Sequence, residues 1–451
     1  MRRRLRAVSG FLLLLMFLTL TYSTPAQAAE DLKVTIDGTR RYFETPVEIV
    51  NNRVMVPIRF VIEDPALQGK VYWDANLQKV AIDCRGKYIE LFIGSLQSSV
   101  DGKTITIDAA PYISNSRTFI PLRFLTESLG ALVDWNNAAR QVTIDFSREF
   151  KIMPYYYMPA RSELESNADL FTDLAFRWLK TDATGVLEYE YKDDYSGMLD
   201  LARSAGLRTE ASVVLMGSEP LHKLLSSEQN RARLIGNILD RVKSDGYDGV
   251  NIDFELMAAA DADLFTAFLR ELKTSLGDKT LSVAVFARTS NDKWPTPYQY
   301  ASIGQIADQV VVMAYDYHYA TSTAGALAPL WWVQQVVDYM TANIPAHKVL
   351  LGLATYGYDW SAGSNATSVT AKKLANLKSR YTLVEVFDKT SMSPSYSYWD
   401  QYGVLHHIWL ENQQSLQAKV DLAKAKKLGG ISFWRIGTGF TDLYEVIEQI
   451  K

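Results

Sequence analysis

The chain has 451 residues, 48% hydrophobic and 22% charged, with a formal net charge of −4. That length holds one large domain and a smaller one, and the mild negative balance, with no basic patch beyond the N-terminus, argues against a nucleic-acid partner. The single cysteine, Cys84, excludes an internal disulfide. Aromatic residues stand out, with 10 Trp and 25 Tyr. They build cores, and they also suit a groove that stacks against sugar rings.

In chain order, the first segment reads as a targeting sequence. Arg2, Arg3, Arg4 and Arg6 precede the apolar run Phe11–Leu20, and Ala26-Gln27-Ala28 offers a small-x-small cleavage site. The run is too short for a transmembrane anchor, and no later stretch reaches spanning length. A signal peptide over 1–28 is therefore expected, with a mature protein starting near Ala29 and exported to a bacterial surface or medium.

Residues 31–146 contain one pattern twice. Arg53-Val-Met-Val-Pro57-Ile-Arg59-Phe60 returns as Arg117-Thr-Phe-Ile-Pro121-Leu-Arg123-Phe124, Val71-Tyr-Trp73-Asp74 as Val133-Asp-Trp135-Asn136, and Val80-Ala-Ile-Asp83 as Val142-Thr-Ile-Asp145. Each copy reads as short strands, a helix after the proline, then a hairpin turning at Asp74–Asn76 or Asn136–Ala138. Two pseudo-symmetric halves sharing a core are expected, as a small α+β domain over 29–147. This block resembles the module found at the N-terminus of copper amine oxidases and in secreted bacterial proteins. The resemblance implies neither copper nor oxidase activity, because that family's catalytic part has no counterpart here and the repeat contains no histidine. Attachment or spacing at the cell wall, or a purely structural appendage, are the roles it leaves open.

From Lys151 short apolar runs alternate with helical stretches. Strands are expected at Lys151–Met158, Asp173–Leu179, Arg208–Met216, Gly249–Glu255, Leu281–Ala287, Gln309–Tyr317, Lys348–Tyr358 and Gly429–Gly437. Helices fall between them, for example at Ser227–Ser244, Ala258–Leu276 and Ser415–Leu428. Eight such units match a (β/α)8 TIM barrel over 148–451, interrupted after the seventh strand by a small insertion at Ser361–Glu411. Chemistry on such a barrel sits at the C-terminal ends of the strands.

The fourth strand is the most informative stretch. In Asp248-Gly-Val-Asn251-Ile-Asp253-Phe-Glu255, alternation puts Asn251, Asp253 and Glu255 on one face and Val250, Ile252 and Phe254 on the other. Buried carboxylates cost several kcal/mol unless paired, so a row of this kind points to chemistry. Asp253 and Glu255 have Cα atoms about 7 Å apart and point the same way, so they cannot flank a glycosidic bond between them. Glu255 can act as a general acid, with Asp253 raising its proton affinity by like-charge repulsion. The nucleophile then comes from another strand, from water or from the substrate.

This strand resembles the fourth-strand signature of glycoside hydrolase family 18, the chitinase family. The resemblance extends over about 151–451, through Met313-Ala-Tyr315-Asp316, Gly352-Leu-Ala-Thr-Tyr356-Gly and Trp434. It implies substrate-assisted, retaining hydrolysis next to N-acetylglucosamine. Glu255 would protonate the glycosidic oxygen while the sugar's own acetamido oxygen attacks the anomeric carbon. Asp253 would polarise the acetamido N–H and Tyr315 would bond its oxygen. Trp434 would floor the sugar, Asp316 would contact its hydroxyls, Met313 and Tyr356 would line the site, and Asp248 would support the strand from below. The middle position of the chitinase signature is acidic; here it is Asn251, which can donate a hydrogen bond to Asp253 but cannot share its proton. The same Asn occurs in members resembling spore and cell-wall N-acetylglucosaminidases, which favours peptidoglycan over chitin. A non-catalytic, lectin-like glycan binder on the same barrel is the alternative.

Other features are weighed on geometry. His406-His407 face opposite ways on a strand, so a structural reading is favoured over a metal site, and no metal or cofactor is expected. Trp331-Trp332, at a helix start, could line a subsite, as could His318, Tyr155, Tyr156, Tyr157 and Trp178.

Overall fold

A computed structural model describes residues 32–449 apart from 44, 46, 52, 137–139, 147–149, 159 and 364. The expected signal peptide and most of the second hairpin turn lie outside the described residues. The chain divides into two compact units, Met1–Ser147 and Arg148–Lys451.

The first unit has a central sheet in the order Tyr112–Ser114, Arg117–Pro121, Arg53–Pro57, Glu48–Val50. Its two inner strands are antiparallel, with Val56 opposite Ile120. These are equivalent positions of the two copies, so a pseudo-twofold axis passes between them. Pro57 and Pro121 end these strands and start the helices Ile58–Ile62 and Leu122–Ser128; a residue without an N–H costs nothing at a helix start. The outer hairpins are exchanged. The first strand, Lys33–Ile36, pairs in parallel with Gln141–Asp145 of the second copy. Its counterpart, Gln97–Val100, joins the sheet of Lys79–Cys84 through one additional strand, Lys87–Phe92. Ile36, Val56, Ile62, Ile120, Leu125 and Ile144 are fully buried in the shared core, as Cys84 nearly is.

The second unit is a closed barrel of eight parallel strands: β1 Lys151–Tyr156, β2 Asp173–Thr181, β3 Arg208–Met216, β4 Gly249–Glu255, β5 Thr280–Phe286, β6 Gln309–Met313, β7 Val349–Ala354 and β8 Gly430–Trp434. Each pairs with its neighbours, and β1 closes onto β8 and β2. Odd and even positions of β4 part as alternation requires. Val250, Ile252 and Phe254 enter the helical layer, where the Phe254 ring stacks on Phe268 at 5.6 Å. The helix Glu228–Asp245 begins under a Ser227 cap and stops at Gly246, whose φ of 73° is the left-handed conformation glycine adopts freely. The chain then enters β4, and Asp248 Oδ2 accepts the Thr209 N–H at 2.8 Å, fixing the lower end of β4 to β3.

Several strands end earlier than expected, β1 at Tyr156 and β8 at Trp434 among them, and two further boundaries bear on the site. The seventh strand stops at Ala354, and Gly357–Ser361 belongs to the insertion, pairing with Leu405–Trp409. The apolar run conceals the change because both strands are largely buried, but Gly357 marks it: a Cβ there would lie 2.0 Å from the Trp409 carbonyl oxygen. The sixth strand stops at Met313, so Tyr315 and Asp316 lie on the loop beyond it. The insertion is a five-stranded antiparallel sheet with one helix, Ala371–Arg380. Among the described residues no helix is long and apolar enough to cross a membrane.

Candidate active site

A cavity of about 260 Å³ opens at the C-terminal ends of the strands, lined by Asp253, Glu255, Met313, Tyr315, Asp316, Tyr356 and Trp434 among others. Three barrel strands, β4, β6 and β8, and the loops after β6 and β7 thus bring seven of the expected residues together. Two expected residues lie beneath it. Asp248 sits at the foot of β4, and Asn251 is fully buried one layer down.

The burial of Asn251 is compensated at both ends of its amide. Its Oδ1 accepts from Ser212 Oγ at 2.8 Å and Tyr155 Oη at 3.2 Å, and its Nδ2 donates to Ser282 Oγ at 2.8 Å. The expected donation from Asn251 to Asp253 is therefore replaced by one to Ser282, because the amide is locked between β3 and β5. Asp253 instead shares a hydrogen bond with Glu255. Burial raises the proton affinity of Glu255, and the Asp253 charge, the shared hydrogen bond and Asp316 raise it further against the opposing Arg177. Asp253 is raised by burial too, but Arg177 and the bond to Glu255 pull it back. The proton of the pair accordingly resides on Glu255. Asp253 Oδ1 is buried and has no hydrogen-bond partner among the described residues. An acceptor left open in a cavity wall is a site for a ligand donor.

The opposite wall is built from hydroxyls. Burial and the Asp253 and Glu255 charges hold the Tyr315 phenol well above its ordinary range, so it remains a donor. Asp316 adopts a φ of 60° and accepts from Tyr356 Oη at 2.8 Å and from the Tyr358 hydroxyl. Trp434 closes the floor, its ring 5.7 Å from both Tyr155 and Tyr157.

The residue that sequence reasoning missed is Arg177. It is 7% exposed, pairs with Glu190, and brings Nε to 3.9 Å from Asp253 Oδ2. Its signal was a lone arginine in the apolar run Leu174–Leu179, alternating with Ala175 toward the lumen. Trp178, expected near the mouth, points the other way: it is fully buried, stacked on Phe176 at 4.3 Å, with its N–H on Tyr247. A register shift between Phe176 and Leu179 accompanies this change. Tyr156 likewise faces the outer core, while Tyr155 and Tyr157 reach Trp434. His318 bonds the Thr323 carbonyl within its own loop at 2.9 Å, and His406 bonds Asp359 at 2.8 Å beneath Tyr398. Trp331 is exposed and Trp332 packs on the core, both against Tyr317.

Arg177 makes a pH prediction. Its charge lowers the proton affinity of both carboxyls, so Arg177→Gln should move the whole bell-shaped kcat/KM profile toward higher pH, by about one unit. An unmoved profile would show that Asp253 and Glu255 do not sense this cation.

A second buried carboxyl, Glu210, lies below Asn251. Ser282 Oγ donates to its Oε2 at 2.5 Å, and Oε1 has no hydrogen-bond partner among the described residues. Burial pushes it up to about 8, with Ser282 opposing, Asp173 adding, and Lys151 and Arg208 opposing. The native state then retains a proton that the unfolded chain releases near its ordinary value, so this group favours folding below that value and loses its contribution as pH rises toward about 8. Glu210→Gln should flatten the decline of Tm between about pH 5 and pH 8. Parallel Tm curves for the two proteins would refute this.

An eight-stranded (β/α)8 barrel with a paired-carboxyl cavity at its C-terminal mouth is the class that fold and site define. The chain belongs to the glycosyl hydrolases family 18, whose model matches residues 151–439, and residues 33–144 match the model of the copper amine oxidase N-terminal domain. It is 36% identical over 231 residues to YdhD of Bacillus subtilis (strain 168), provisionally named a sporulation-specific glycosylase, covering 50% of this chain and 55% of that protein. It is 32% identical to the cortical fragment-lytic enzyme of Bacillus anthracis, over 48% of this chain and 53% of that one. The chain thus spans about half the length of these curated relatives. The crystal structure of the Bacillus cereus spore cortex-lytic enzyme SleL shares the fold, with a TM-score of 0.62 and 24% identity over 67% of this chain and 74% of that one.

Proposed function

We propose that the chain is an exported retaining glycosidase that cleaves β-1,4 bonds beside N-acetylglucosamine, with peptidoglycan strands favoured over chitin. The observation that carries this reading is the asymmetry of the carboxyl pair. Glu255, which lines the cavity, has the higher proton affinity of the two, while Asp253 leaves Oδ1 buried and open. Glu255 gives its proton to the glycosidic oxygen as the bond to the anomeric carbon breaks. The acetamido oxygen of the same sugar closes on that carbon, forming an oxazolinium ion whose N–H is accepted by Asp253 Oδ1. Tyr315 donates to the acetamido oxygen, Asp316 accepts from sugar hydroxyls, and Trp434 covers the apolar face of the ring. Water, deprotonated by Glu255, then opens the oxazolinium from the face the leaving group occupied, with net retention.

The preference for peptidoglycan draws on the relatives named for lysing cortical fragments and on Asn251 at the middle of the motif. Residues 1–28 serve as the export signal in this reading, and 29–147 attach the enzyme to the wall. Reducing-end release from purified peptidoglycan and from N-acetylglucosamine oligosaccharides tests the assignment. Greater release from peptidoglycan is expected. Binding without release from either substrate would instead make the barrel a lectin.

A further inference from the structure

The internal duplication of the first unit creates two equivalent grooves that take no part in hydrolysis. One, of about 410 Å³, is lined by Arg59, Val71 and Trp73 of the first copy with Ile113 and Arg117 of the second. The other, of about 450 Å³, is lined by Arg123, Val133 and Trp135 of the second copy with Ile49 and Arg53 of the first. The repeat converts one set into the other residue for residue: Ile49 into Ile113, Arg53 into Arg117, Arg59 into Arg123, Val71 into Val133 and Trp73 into Trp135. Each groove therefore draws on both copies and follows the pseudo-twofold between Val56 and Ile120.

Packing accounts for the identical valines and for part of Trp135, which is half-buried against the core, but not for the exposed isoleucines, Trp73 or the arginines. Ile49 and Ile113 are 45% and 46% exposed, Trp73 is 42% exposed, and all four arginines face solvent. Neighbouring positions have diverged, Tyr72 against Asp134 and Leu77 against Ala139. Exposed apolar residues retained twice at equivalent places mark a surface used for binding. The chemistry is a flat aromatic beside planar cations. Arg59 engages Glu63 at 2.5 Å and Arg53 engages Asp108, both in exposed pairs that contribute little and exchange readily for a ligand carboxylate. Arg140 adds a further cation to the second groove. Trp stacks on a sugar ring, and an Arg fork grips a carboxylate in a bidentate manner. A neutral glycan leaves the arginines idle, and the net charge of −4 disfavours nucleic acid.

We propose that these two grooves bind a carboxylate-bearing glycan strand, holding the chain on peptidoglycan at two points; the choice of polymer rests on the function proposed above. The test uses the full chain carrying Glu255→Gln, co-sedimented with insoluble peptidoglycan while a soluble N-acetylglucosamine oligosaccharide saturates the barrel. The Trp73→Ala/Trp135→Ala double variant should bind at least about tenfold more weakly, each single variant falling between, as expected when two linked contacts act together. Arg59→Gln/Arg123→Gln, at surface positions that leave the core intact, should weaken binding similarly and flatten its decline with added NaCl. Parent-like binding by both double variants, or equal retention of the parent on chitin, would overturn the proposal. With Glu255 intact, the groove variants should cleave the soluble oligosaccharide at the parental rate. Groove-dependent binding with no cleavage by the parent chain sinks only the hydrolase reading, and cleavage with groove-independent binding sinks only this one.

Discussion

Under the proposed mechanism, Glu255→Gln should abolish hydrolysis while leaving the fold and the affinity for glycan in place. Gln preserves the shape of the side chain and can still hydrogen-bond Asp253, but it can neither deliver a proton to a departing oxygen nor take one from water. General acid–base catalysis contributes about 10²–10⁴-fold, and in the proposed mechanism one carboxyl serves both half-reactions, so a loss at the upper end of that range is expected. The fall should appear in kcat, with KM nearly unchanged, because Trp434, Asp253 and Asp316, the sugar contacts proposed above, still line the cavity. Any retained activity above about a tenth of the parent would assign the acid to another group. Asp316 would be the next candidate, since it lines the same cavity.

Lys419→Ala costs the barrel about 3–5 kcal/mol. Lys419 lies on the helix Gln413–Ala425 and donates to Glu411 Oε2 at 2.7 Å, with the two side chains 1% and 2% exposed. Loss of the cation leaves a carboxylate buried just after the last strand of the insertion, where water cannot reach it. The paired substitution Lys419→Met/Glu411→Leu should recover most of the loss, because an apolar pair of similar volume needs no mutual charge. Urea unfolding of the single and double variants checks both statements. Equal midpoints for Lys419→Ala and the parent would mean that the buried charge finds other partners.

Much of this architecture was legible because it rests on short-range periodicity. Alternation in Asn251-Ile-Asp253-Phe-Glu255 assigned the two faces of β4 correctly, since both layers of a barrel are dry enough to enforce it. The repeat was legible because Pro57 and Pro121, Trp73 and Trp135 recur with their surroundings. What escaped reading depends on contacts between strands. Nothing local shows that Arg177 faces Asp253 or that Ser282 takes up the Asn251 amide, for these meetings are set by the register of β2, β4 and β5. The end of the seventh strand escaped for a related reason: Leu350 through Trp360 is apolar enough to suit either sheet, and only the carbonyl of Trp409 pressed against Gly357 decides the switch.

The exchanged hairpins of the first unit bear on how such a module arises. Lys33–Ile36 finds its partner at Gln141–Ile144, more than a hundred residues along the chain, and Val56 faces its own counterpart, Ile120. In a fragment carrying one copy, the pseudo-axis would become a true axis between two chains, with each chain lending its first hairpin to the other. The arrangement is that of a strand-swapped homodimer whose subunits have been joined end to end by gene fusion. Covalent joining removes the concentration dependence of such a pair, and it frees the two halves to diverge wherever they no longer have to match.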